Sequence, residues 1–208
     1  MRTDSKRAWA LSGLLCLSLC LLCGCRTIGG REPEQGALVA AVGVDAVGSQ
    51  VRVSLEVLLV SEGEGVERRV LSAVGSDARL AYAAVTEGFV RELLFGHCAV
   101  LVLGDGITDE TATAFLSDAS LPPELQVVTA EDAHALLSVK VLATPAVGYE
   151  LQAILSRYAA KNCRVFELAA DPSAHLSRSA LPRASLADAA SGRSIVVRMT
   201  QNGSQGTP

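Results

Sequence analysis

Ala99-Val100-Leu101-Val102-Leu103, set between Gly96 and Gly104, is an apolar run with no polar alternation. A strand with one solvated face alternates, so a short unalternating run closed by glycines reads as a strand buried on both faces. Two buried faces require helices above and below the strand, and helical spacing occurs on either side. Upstream, Ser76-Asp77 can cap a helix in which Leu80, Ala84, Val85, Gly88, Phe89 and Leu93 recur, ending near Gly96. Downstream, Thr108 with Asp109 and Glu110 opens a second helix whose stripe is Ala112, Phe115, Leu116 and Ala119, stopped by Pro122-Pro123.

The rest of the chain fits around this core. Leu38 to Val47 and Val51 to Val60 are β-rich and separated by Gly48-Ser49, which predicts a hairpin. In the second run Val51, Val53, Leu55, Val57 and Leu59 share one face, and Arg52, Ser54 and Glu56 the other. Glu62 to Glu67 reads as an acidic, solvated loop and Arg69 to Val74 as a short third strand. Leu125 to Thr129 is a further strand, Glu131 to Leu137 a short helix, and Gly148 to Ala160 a longer one with Leu151, Ile154, Leu155 and Tyr158 on one face. Ser194 to Met199 is strand-like, Thr200 to Pro208 reads as a disordered tail, and no repeat period is evident. The order of elements predicts an α/β fold, a mixed β-sheet with helices packed on it.

The N-terminus carries an export signal. Arg2, Lys6 and Arg7 precede an apolar stretch from Trp9 to Leu22, and Leu22-Cys23-Gly24-Cys25 places a small residue directly before a cysteine. This order predicts a lipoprotein signal peptide over 1–24 and lipidation at Cys25. Two acyl chains on that residue, at about 0.8 kcal/mol per buried methylene, would anchor the chain stably to a membrane. Residues 25–36, with Gly29, Gly30, Pro33 and Gly36 among charges, read as a flexible tether.

Residues 1–24 hold three of the 18 basic residues and one of the 22 acidic ones, so the net charge is −6 beyond them and −4 for the whole chain. There is no basic stripe, which disfavours nucleic-acid binding. Past Cys25 only Cys98 and Cys163 remain. Both have apolar neighbours and read as buried free thiols, with a disulfide between them as the alternative. His97, His134 and His175 show no metal-ligand spacing with cysteine, and neither a metal nor a cofactor is expected.

Four pieces in order resemble one family: Cys25 of the lipobox; Val42-Gly43-Val44-Asp45; Leu93-Leu94-Phe95-Gly96-His97-Cys98-Ala99-Val100-Leu101-Val102-Leu103-Gly104; and Leu125-Gln126-Val127-Val128-Thr129-Ala130. Together they resemble the N-terminal domain of the Ger(x)C spore germination lipoproteins, the C subunits of nutrient germinant receptors. The likeness runs to about Arg183, through Phe166-Glu167-Leu168 and Leu181-Pro182-Arg183. It implies a domain over 37–183, with 184–208 as a short strand-like run and tail. Arg26-Thr27 stands where the family usually has Trp-Asp, and two further domains usual in the family are not expected here, so the chain reads as C-terminally shortened.

The signature residues Gly43, Asp45, Phe95, Gly96 and His97 read as structural. Gly96 is expected in a backbone conformation that a side chain would disfavour, His97 as a buried imidazole bonded to a backbone carbonyl, and Asp45 as a hydrogen-bonded carboxylate at a strand end. The resemblance implies an accessory subunit on the extracytoplasmic face of the spore inner membrane, acting by association with integral-membrane A and B subunits. No catalysis is expected: neither Gly-x-Ser-x-Gly nor His-Glu-x-x-His occurs, and adjacent His97 and Cys98 would point to opposite faces of a strand. The alternatives are an exported solute-binding lipoprotein and a lipoprotein enzyme.

Overall fold

The computed structural model describes residues 36–61, 65–119, 121–140, 144–157, 164–165, 181–189 and 192–198. The segment expected as a signal peptide, Cys25, most of the expected tether, Tyr158 to Cys163, Phe166 to Ala180 and the residues from Met199 lie outside the described residues. In chain order the elements are β1 (Gly36–Val47), β2 (Gln50–Ser61), β3 (Gly65–Gly75), α1 (Ala78–Glu87), β4 (Glu92–Leu94), a 3-10 turn (Phe95–His97) and β5 (Val100–Gly104). There follow α2 (Asp109–Asp118), β6 (Gln126–Ala130), α3 (Ala133–Ser138), α4 (Val147–Arg157), β7 (Arg183–Ala189) and β8 (Gly192–Arg198).

The strands form one mixed sheet in the order β3-β2-β1-β5-β6-β7-β8, with β4 also pairing β1. The β1–β2 and β2–β3 pairs are antiparallel, β1–β5–β6 run parallel, and β7–β8 is an antiparallel hairpin. Gly48, at φ 61°, supplies the left-handed residue of the β1–β2 turn, a conformation that costs glycine nothing. One face carries Val42, Val44, Val53, Leu55, Leu101, Leu103 and Val127, and α1 and α2 cover it with Ala81, Val85, Ala112 and Phe115. The other face carries Ala41, Val100, Val102 and Val128 beneath Leu136 and Leu137 of α3 and Leu151 and Leu155 of α4. The result is an α/β sandwich of three layers, and every residue of β5 is buried.

Three elements differ from the sequence expectation. Helix α1 stops at Glu87 rather than near Gly96, because the chain must return to the start of β1 to add a parallel strand, and Leu93 and Leu94 belong to that strand. Its buried residues are Ala78, Ala81 and Val85, whereas Leu80 is exposed; small side chains let α1 sit so close that a Cβ on Gly75 would lie 2.6 Å from the Ala81 nitrogen. The third strand begins at Gly65, inside the segment expected as an acidic loop, and Glu67 pairs with Arg69 on it. Past Arg183 the sheet continues: β7 pairs with β6 through Thr129 and Arg183, and β8, the strand-like run near Ser194, pairs with β7. Strand β7 reads Arg-Ala-Ser-Leu-Ala-Asp-Ala, too poor in β-branched residues to stand out in the sequence.

Strand β1 changes register between Val39 and Ala41, and the bulged Ala40 turns its carbonyl to accept the Ala99 amide at 2.9 Å. The start of α4 sits against this bulge. A Cβ added to Gly148 would stand 2.4 Å from the Ala40 oxygen and 2.8 Å from its carbonyl carbon. Gly148→Ala in an unconstrained helix should stabilise by about 0.8–1 kcal/mol. Here the clash is with backbone, so the variant should instead unfold at lower urea, by roughly 1–3 kcal/mol. Equilibrium unfolding of the two proteins decides the sign.

Candidate functional site

Two carboxylates fix the helical layer that contains α3 and α4. Asp45, near the end of β1 and 4% exposed, accepts the first two amides of α3, Ala133 N at 2.6 Å and His134 N at 2.9 Å. Glu56, in the middle of β2 and 0% exposed, accepts the first two amides of α4, Val147 N at 2.7 Å and Gly148 N at 2.8 Å. Each satisfies donors that a helix start leaves unpaired and places negative charge at the positive end of the helix dipole. Arg68 on β3 donates from Nε to Glu56 and from Nη2 to the Leu137 carbonyl, tying the end of α3 to the beginning of α4. Arg52 spans Asp45 at 3.4 Å and Asp132 at 3.2 Å, and Ser54 Oγ shares a hydrogen bond with His134 Nδ1 at 3.0 Å.

Gly43 completes this arrangement. It lies between Ala41 and Asp45 on the same face, where a Cβ would meet Leu137 Cδ1 at 3.0 Å and Ala133 Cβ at 3.1 Å. Gly-Val-Asp therefore works as a unit: the glycine lets α3 approach and the aspartate receives its amides. Gly104 has the matching role from β5, since a Cβ there would fall 2.2 Å from Asp45 Oδ1.

Phe95, Gly96 and His97 lie elsewhere, on the short 3-10 turn between β4 and β5. The two strands flank the bulge of β1, β4 against Gly36 to Leu38 and β5 against Ala41 to Val44, so the turn fills the interruption. Phe95 fastens it to the helices: its ring is 5.8 Å from that of Tyr82, which in turn meets Phe115 edge-on at 5.7 Å. His97 is exposed, not a buried imidazole, because the strand begins only at Val100 and the turn points the residue before it outward. Gly96 likewise has no positive φ, and a Cβ there would meet nothing within 4 Å. Neither residue is held to its identity by packing, and both belong to the exposed surface.

Cys98, next to them, is a buried free thiol, and burial pushes its pKa up to about 12. Burial does the same to Tyr82, also to about 12. Such a thiol is a poor nucleophile. For an acid held neutral in the fold, the unfolded chain releases its proton first, from near 9.0 for the thiol. Stability should therefore fall as pH rises from about 9 towards 12, by at most about 1.4 kcal/mol per pH unit for the one thiol. Urea unfolding of wild type and Cys98→Ala between pH 8 and 11 measures this as a difference in which Cys163 cancels. A difference independent of pH would refute it.

At the far ends of β5 and β6 a crevice of about 310 Å³ lies between the start of α3 and β7, lined by Glu131, Asp132, Leu136, Arg183 and Leu186. Arg183 is engaged with Asp105 through two bonds of 2.7 and 2.5 Å, which raise its pKa further. Among the described residues no group of His, Cys, Asp and Glu could hold a metal, and no helix is long and apolar enough to cross a membrane.

The sequence reading put Asp45 at a strand end but missed the helix it holds, and it put Glu56 on a polar face without the layer above. No curated protein and no solved structure matches the chain. A family model described as the spore germination protein N-terminal domain matches residues 29–166, from ahead of β1 to beyond α4, and spans both the Gly43–Asp45 unit and the Phe95–His97 turn. The chain belongs to this spore germination family, as a Ger(x)C-type N-terminal domain.

Proposed function

We propose that the protein is a lipid-anchored accessory subunit of a nutrient germinant receptor, working without catalysis, by association with the receptor's integral-membrane A and B subunits. The match to the spore germination domain over residues 29–166 carries the reading. The lipobox supports the anchor, with Cys25 as the acylated residue and the extracytoplasmic face of the spore inner membrane as its place. The architecture agrees with a docking role. The buried carboxylates Asp45 and Glu56, with Arg52 and Arg68, are committed to holding helices on the sheet, and Gly96 and His97 of the signature turn are exposed.

Two experiments test the reading. Cys25→Ala, expressed in a lipoprotein-processing host, should lose labelling by a fatty-acid analogue, and undiminished labelling would remove the anchor. In the sporulating host the tagged protein should recover membrane subunits. Its deletion should slow germination with nutrients while leaving receptor-independent germination unchanged. A deletion strain that germinated normally with every nutrient, together with a tagged protein that recovered no membrane subunit, would refute receptor membership.

A further inference from the structure

The loop between α1 and β4 carries a fully exposed apolar residue: Val90 is 101% exposed, between the half-buried Phe89 and the exposed Arg91. A single exposed valine is ordinary on a protein surface, but this one is distinguished by its position. Glu92 pairs with Gly36, so the loop stands at the end of the sheet where the chain enters the fold. Val66, 54% exposed at the start of β3, lies at the same end, opposite Val60 of β2. Glu67, on β3 at the same end, is hydrogen-bonded to Arg69, which holds its carboxylate below the usual range, and the charge of Arg91 lowers it further.

We propose that the Phe89–Arg91 loop is a second membrane contact, with Val90 entering the acyl boundary of the bilayer and Arg91 remaining among the headgroups. The inference rests on the Cys25 anchor proposed above. Eleven residues lead from Cys25 to Gly36, at most about 40 Å of chain. Strand β1 has 12 residues and is roughly 36 Å long. To bring the opposite end of the sheet to the bilayer, the tether would have to run nearly straight along the whole strand. Bringing the Gly36 end there needs no extension. An apolar tip flanked at once by Glu87, Arg91 and Glu92 suits an interface where charges stay wet, whereas a protein hot spot is a desolvated pocket or patch.

The test uses the full chain, expressed in a lipoprotein-processing host and reconstituted in phosphatidylcholine vesicles with or without brominated acyl chains. Trp9 is the one native tryptophan and lies in the segment expected to be removed, so Val90→Trp reports on the loop alone. Val47→Trp, at the exposed far end of β1, is the control. Fluorescence of the Val90→Trp protein should fall at least twofold in brominated vesicles while that of the Val47→Trp protein is unchanged. A fatty-acid-labelled Val90→Trp protein quenched no more than the control would overturn the loop contact and leave the anchor standing. A chain without the label would overturn both. If the indole of the Val90→Trp protein were shielded in native membranes but not in pure lipid, the loop would belong to a protein partner and the lipid assignment would be overturned.

Discussion

Glu56→Ala should destabilise the domain by about 3–5 kcal/mol, read as a shift in the urea midpoint, because it removes a fully buried carboxylate shared by a partly buried arginine and two buried helix amides and leaves those donors behind. Arg68 would lose its carboxylate, and the Val147 and Gly148 amides at the start of α4 would lose their acceptor in a place without solvent. A domain of this size has roughly 5–15 kcal/mol in total, so the variant should approach unfolding at 37 °C. The pairing has its own control. Arg68→Met in the Glu56→Ala background should recover part of the loss, since two apolar groups replace a stranded cation. Equal cost with and without Arg68 would show that the pair does not act as one.

Leu101→Asp should abolish folding. Leu101 is fully buried in β5, between Val42 of β1 and Val127 of β6, in an apolar cluster closed by α1 and α2. Truncating such a leucine costs about 2–5 kcal/mol, and placing an unpaired carboxylate there adds several more. The sum reaches the whole stability of the domain. The expected product is insoluble or collapsed, with no cooperative thermal transition. Leu101→Met, which preserves volume, should lose less than about 1.5 kcal/mol. A soluble Leu101→Asp protein with an ordinary melting transition would mean that β5 is not the interior strand.

The same strand shows how much of the fold was legible. Five apolar residues between glycines identified a strand covered on both faces, and flanking caps at Asp77 and Thr108 located the two helices of one layer. The fate of Glu56 follows once the strand order is known: β5 pairs β1 and β1 pairs β2, so the cover over β5 reaches across to the middle of β2 and buries the acid there. Treating β2 by its own alternation, as a strand with one wet face, concealed this. Glycine-directed reasoning succeeded at Gly48, where local backbone decides, and failed at Gly96, where spacing suggested a strand entry and the chain makes an exposed turn. Gly43 and Gly148 could not be recognised locally at all, because what approaches them arrives from 90 to 108 residues away in the chain.

Any pull on the chain ahead of Gly36 enters the domain through β1, and β1 is not an edge. It is paired along its length to β2 on one side and to β4 and β5 on the other. Tension along its axis therefore loads these ladders in shear, many hydrogen bonds at once, where an edge strand would peel away one bond at a time. Forced unfolding is governed by the unfolding rate and not by equilibrium stability. The topology thus makes the domain mechanically stiff in the direction from which its own leading segment can tug, a property that calorimetry would not reveal and that single-molecule extension from the N-terminus would.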